Sequence, residues 1–363
     1  MITINTIDRI EFNITSLCNA ACPMCIRTIV GDKLELNSLP YETYKDLLDQ
    51  LPRSVNIDFC GTTGDAIMHP DILRIVELMA EQERGGNIST NAGAKSTELF
   101  TKLGKLSAQS NKKIRFEFAI DGLEDTHALY RIDTNYNKVM ENARAFIDAG
   151  GYAIWQYIIF QHNEHQLEEA KNLATEYGFR KFKHIYSKRF KLPNIEVDAK
   201  SYSKKINKNQ STKEKGFTLT VADQVPQKIV AHREKTVEQL LQEQNNDISC
   251  RTFEKNELFV DEKGRVWPCC FWHGESQAPK GSGLFRAETT GFTSFYKELI
   301  GKVGEDWNSL HHHTLQDILQ SYVFQEFLPQ SLDHKLPKCG TCIAKCTRDK
   351  MMINRAHAVN SKL

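Results

Sequence analysis

Between residues 7 and 187 the chain alternates between short apolar, β-branched runs and longer segments whose apolar positions fall three and four apart. The runs are IDRIEFNITSL, SVNIDFC, NISTN, KKIRFEFAI, YAIWQYIIF and KFKHIYS, each bounded by polar or turn residues, and they predict six strands. The intervening YETYKDLLDQL, PDILRIVELMAEQ, STELFTKLGKL, NYNKVMENARAFIDAG and QLEEAKNLATEYGF carry helical spacing. Strand and helix in strict alternation imply parallel strands joined by right-handed crossovers, as an open sheet or a partial barrel. Such folds place their chemistry at the carboxyl ends of the strands.

A length of 363 residues suggests about two domains and is enough to bury a sizeable core. The formal net charge of +1 gives no global argument for nucleic acid or an acidic membrane surface. The start, MITINTIDRIEF, lacks a basic segment followed by a long apolar run, and no stretch of about 18 uncharged apolar residues occurs. The expectation is a soluble, cytoplasmic protein. Disulfides do not persist there, so clustered cysteines point to metal or redox chemistry.

The 10 cysteines fall into two islands. Cys18, Cys22 and Cys25 crowd into CNAACPMC, directly after the first predicted strand. Cys250, Cys269, Cys270, Cys339, Cys342 and Cys346 occupy the last third, and Cys60, alone within a strand, reads as a small buried hydrophobe. A structural zinc ion wants four closed ligands and would need a distant fourth here. Three thiolates on a 4Fe-4S cluster leave one iron open to a ligand that is not protein.

The C-x3-C-x2-C loop after a first strand resembles the radical S-adenosylmethionine (radical SAM) superfamily, and the resemblance runs along most of the chain. It implies a 4Fe-4S cluster on Cys18, Cys22 and Cys25. The open iron of that cluster chelates S-adenosylmethionine, whose reductive cleavage gives a 5′-deoxyadenosyl radical that abstracts hydrogen from a substrate. CGTTGDAIMHPDI resembles the family's Gly-Gly-Glu-Pro segment and following His-Pro-Asp helix start, which places Thr63, Gly64, Asp65 and Ala66 at the tetrad with only the glycine literal. The same resemblance assigns Ser89, Thr90 and Asn91 of STNAG to the ribose or methionyl part, Arg131 to the methionyl carboxylate with Asp121 beside it, and Asn163 to the nucleoside. Ala119 stands at a family serine position, and Met24 where relatives carry an aromatic against adenine. An ordinary strand-to-helix turn at Gly64, a surface arginine and a loop asparagine are the bland alternatives.

The last third, with CRTFEKNELFVDEKGRVWPCC, NSLHHHTLQDILQS and KCGTCIAKC, resembles the auxiliary-cluster region of the SPASM and Twitch subgroup, including a hairpin turned at Lys263-Gly264. One auxiliary cluster, a 4Fe-4S, is expected on Cys250, Cys269, Cys339 and Cys342, with Cys346 or Cys270 able to replace one; four thiolates also suit zinc. The HHH run at 311–313 reads as a surface or helix-start feature.

The expected organisation is therefore a partial (β/α)6 TIM-like barrel over 1–187, a polar, lysine-rich linker or insertion over 188–249 and a small auxiliary iron-sulfur domain over 250–363. The implied activity is radical modification of a peptide or protein, oxidative or cross-linking, served by a flavodoxin- or ferredoxin-type electron donor. Two alternatives stay open: dehydrogenation or rearrangement of a small molecule, and a non-catalytic iron-sulfur or zinc protein. About ten residues precede the first strand, which weakens a leader-guided maturase.

Overall fold

The computed structural model describes residues 2–31, 34–187, 194–197, 217–223, 248–277, 292–333, 340–346 and 358–362. The six expected strands form as β1 (Arg9–Phe12), β2 (Asn56–Phe59), β3 (Gly86–Thr90), β4 (Ile114–Ala119), β5 (Tyr152–Ile159) and β6 (Lys181–Tyr186). They lie side by side in chain order and pair parallel throughout. Between them run α1 (Ile26–Val30), α2 (Tyr41–Gln50), α3 (Ile72–Glu81), α4 (Thr97–Gln109), α5 (His127–Tyr130), α6 (Tyr136–Asp148) and α7 (Leu167–Tyr177). This is the expected α/β architecture, six parallel strands joined by helical crossovers in an open sheet that does not close on itself among the described residues.

Local chemistry explains the boundaries. Ser96 and Asn135 cap α4 and α6 by accepting the backbone N–H of Leu99 and Lys138. Gly178, at φ +87°, ends α7 in the left-handed region that other residues avoid. Within each strand one face is apolar and meets the helices: Phe12, Phe59 and Tyr44 of α2 pack ring against ring at 5.3–6.0 Å. Burying each such ring contributes roughly 2–3 kcal/mol. The other face carries Arg9, Glu11, Asp58, Glu117 and Lys183, so the inside of the curved sheet is polar.

Residues after 250 enlarge this sheet. Strand β9 (Glu257–Val260) pairs parallel with β1, and β10 (Val266–Trp267) returns antiparallel to it through a turn in which Gly264 takes φ +71°. At the far edge β11 (Ala358–Lys362) pairs antiparallel with β6. Leu315, Ile318, Leu319 and Phe324 join the same buried core as the barrel residues, and Thr314 starts the helix Leu315–Gln320 with a capping box just after exposed His311, His312 and His313.

Of the lysine-rich stretch, residues 188–193, 198–216 and 224–247 lie outside the described residues. Its described parts make a two-stranded antiparallel ribbon, β7 (Asn194–Val197) with β8 (Phe217–Thr220), and Val221 bridges to Phe160 just beyond β5. Among the described residues no helix is long and apolar enough to cross a membrane.

Candidate functional site

The loop from Asn13 to Cys25 leaves the carboxyl end of β1 and is pinned along its length. Asn13 N–H donates to Val260 O (2.9 Å), Ala21 N–H to Ile132 O (3.0 Å), and Cys25 N–H to Cys22 O (3.0 Å) in a tight turn ahead of α1. Thr28 Oγ1 also donates to Cys22 O (2.7 Å), and the Arg27 guanidinium to Ser16 O. The three thiols consequently sit on the rim of a cavity of about 510 Å³ at the carboxyl ends of the parallel strands.

Three N–H groups point at these sulfurs: Ala20 N at 3.4 Å and Asn91 Nδ2 at 3.6 Å from Cys18 Sγ, and Arg131 Nη1 at 3.6 Å from Cys22 Sγ. Burial pushes the Cys18 thiol well up and Cys22 up to about 11, so without a metal both stay protonated. The donor set suits a thiolate-bound cluster: three sulfurs on one loop, N–H donors to offset their negative charge, and open space beside them. Among the described residues no group of three or more His, Cys, Asp and Glu side chains gathers in the way a single metal ion needs.

Gly64, Asp65, Ser89, Thr90, Asn91 and Arg131 all line this cavity. A Cβ on Gly64 would lie 2.0 Å from Thr15 O and 2.8 Å from Leu17 O, so only glycine lets the two loops approach this closely. Asp65 takes Ile67 N–H (3.1 Å) on one oxygen, capping a short 3₁₀ turn, and Asn91 N–H (2.7 Å) on the other. It thereby ties the ends of β2 and β3 together. The His-Pro-Asp helix start works through His69, which accepts from Asp71 N–H (3.0 Å) and shares a 2.8 Å hydrogen bond with Leu39 O. Arg131 is held by fully buried Asp121 (Nε to Oδ2, 2.7 Å), whose other oxygen accepts Ile158 N–H (2.6 Å). Burial pushes the Asp121 carboxyl up, with Arg131 pulling against it; burial also works to lower Arg131, and Asp121, Cys22 and Tyr130 together more than offset that.

Met24, Thr63 and Asn163 are placed differently: none lines the cavity. Met24 is buried among Ala20, Tyr130, Phe160 and Leu219. Thr63 is bonded to Asn13, through its hydroxyl (2.6 Å) and its N–H (3.1 Å). Asn163 accepts Phe160 N–H (2.8 Å) and donates to Ile158 O (3.0 Å) and Asp121 O (3.2 Å), so its amide closes the loop after β5.

The second thiol group draws on distant segments. Burial pushes the Cys269 thiol up, and Cys346, Cys342 and Cys250 lie near enough to add to the shift; Ser249 N–H donates to Cys346 O (2.8 Å). Burial pushes the Cys250 thiol up to about 11. Cys346 thus joins this group, whereas Cys270, though beside Cys269, shares a hydrogen bond with Glu11, which also meets Cys60. Cys339 lies outside the described residues. Among the described residues none of the cysteines is in a disulfide.

Sequence reading missed the inward-facing polar residues, such as the Lys183–Glu117 pair at 2.7 Å. The signal was present: RIEF, NIDF and RFEF each alternate polar residues, one of them an acid, with the apolar face. It also missed Asn13 and Glu262, both buried.

Fold and site together define an open (β/α)6 barrel with a three-thiol pole at the mouth. No protein-family profile matches the chain, and no curated protein matches it. Among solved structures it is similar to Streptococcus suis SuiB bound to S-adenosylmethionine, with 12% identity over 79% of this chain and 68% of that one and a TM-score of 0.49. It is also similar to native anSMEcpe with bound AdoMet and Cp18Cys peptide, with 13% identity over 94% and 89% and a TM-score of 0.48. At such identities and scores neither likeness bears on function.

Proposed function

We propose that the chain is a radical SAM enzyme whose first cluster is held by Cys18, Cys22 and Cys25. The observation that carries this is the convergence, on one cavity at the carboxyl ends of the strands, of three same-loop thiols with Arg131, Asp65 and Asn91. When bound, a 4Fe-4S cluster and S-adenosylmethionine supply one-electron cleavage of a sulfonium carbon–sulfur bond and a carbon radical that takes hydrogen from a substrate. The electron comes from a flavodoxin- or ferredoxin-type donor.

The chain's residues do the positioning. Arg131, oriented by Asp121, offers its guanidinium to a carboxylate. Gly64 keeps the turn close enough for backbone contact with an amino group, and Asp65, bound to Asn91, holds that turn against the next strand. Ser89 and Thr90 offer hydroxyls from the end of β3. Cys250, Cys269, Cys342 and Cys346 would hold one auxiliary cluster. With the SPASM- and Twitch-like sequence there, this supports a peptide or protein side chain as the substrate class.

Anaerobic reconstitution with iron and sulfide, followed by reductant and S-adenosylmethionine, should yield 5′-deoxyadenosine. No product from a protein with an intact cluster, or zinc in place of iron on Cys18, Cys22 and Cys25, would overturn the proposal.

A further inference from the structure

The hairpin turn between β9 and β10 lies beside the carboxyl end of β1, against the loops that build the cofactor cradle. Glu262, only 3% exposed, accepts from Asn13 Nδ2 at 2.6 Å. The same nitrogen donates to Thr63 Oγ1 (2.6 Å), while Asn13 Oδ1 accepts Thr63 N–H (3.1 Å). Thr63 immediately precedes Gly64 and Asp65 on the cavity wall. The amide has one workable orientation: Thr63 N–H fixes its oxygen, so both Nδ2 protons need acceptors, and Thr63 and Glu262 are those acceptors. A buried amide proton left unmet would cost enough to favour rotation of the side chain.

We infer that Glu262 is a positioning residue for the cofactor cradle, locking Asn13 so that Asn13 holds Thr63 and, through it, the Gly64-Asp65 turn. This rests on the cofactor reading above. The role needs an acceptor at residue 262 and no negative charge. Glutamine, whose Oε1 can take the same bond, should therefore serve, and alanine should not.

Two measurements test it. In the cluster-free chain, hydrogen exchange at the Thr63 amide should rise about tenfold in Glu262→Ala and stay near wild type in Glu262→Gln. In reconstituted protein, Glu262→Ala should weaken equilibrium binding of S-adenosylmethionine about tenfold while the rate of 5′-deoxyadenosine release at saturation stays within about twofold, and Glu262→Gln should restore the affinity. Wild-type exchange and affinity in Glu262→Ala would overturn the inference, as would equal damage from Glu262→Gln. Should Glu262→Ala fail to fold, Thr63→Val removes the hydroxyl at the other end of the relay. Its affinity must fall in the same direction or the inference is lost. If wild-type protein cleaves no S-adenosylmethionine, the cofactor reading fails, while the exchange experiment still judges Glu262.

Discussion

The two thiol groups are built in opposite ways. Cys18, Cys22 and Cys25 share one eight-residue loop, and backbone bonds within it and to its neighbours set their positions. Cys250, Cys269, Cys342 and Cys346 come from three separate segments and meet only because the chain after 250 folds back on the barrel. A local site can be assembled early and read from spacing; a distributed one depends on the completed fold.

The sharpest way to break that contrast is substitution within each group. Cys22→Ala should abolish 5′-deoxyadenosine formation outright. Cys269→Ala should spare it while lowering bound iron, as judged by product assay and iron analysis. Equal loss in both would mean that the groups do not act separately.

Next in size is the support behind the local group. Asp121→Leu leaves Arg131 buried without its carboxylate and should cost about 3–5 kcal/mol in denaturant unfolding. A cost near zero would show that the loop stands without that pair.

The link between the two regions can be read by pH. Burial raises the Glu262 carboxyl to about 7, reinforced by Asp261 and opposed by the Asn13 bond and Lys263. A group whose folded value lies above its unfolded one favours folding while protonated, so its contribution is full below about pH 4.5 and fades as pH rises through 7. Wild-type stability should therefore fall over that window by something of the order of 3 kcal/mol relative to Glu262→Gln, measured by unfolding at several pH values. Parallel curves would contradict it.

Smaller effects sharpen the comparison further. Gly64→Ala should lose about 1–3 kcal/mol, because the new methyl meets backbone that cannot move aside, and a thermal melt checks it. Cys346→Ser should lower iron content whereas Cys270→Ser should not, since Cys270 faces Glu11 instead of Cys269's partners.

The same contrast explains what the sequence disclosed. The six parallel strands and the five longer helices α2, α3, α4, α6 and α7 were legible because period-2 and period-3.6 patterns are local properties of a few residues; the short helices α1 and α5 and the edge strand β11 were not. The loop of three cysteines was legible for the same reason. Which of Cys346 and Cys270 lies nearer Cys342 and Cys250 was not, because it depends on how the helices Cys270–Gln277 and Gly340–Cys346 pack. Thr63 and Asn163 occupy motif positions, yet their polar atoms are taken by Asn13 and by backbone, which spacing cannot reveal.

The pairing of β9 with β1 also bears on how the protein is made. Asn256 bonds Asp8 from 248 positions further along the chain. During synthesis β1 therefore waits with a bare edge until the segment around Asn256 has emerged from the ribosome. That interval is when misassociation between nascent copies is most dangerous, and holding chaperones would matter most.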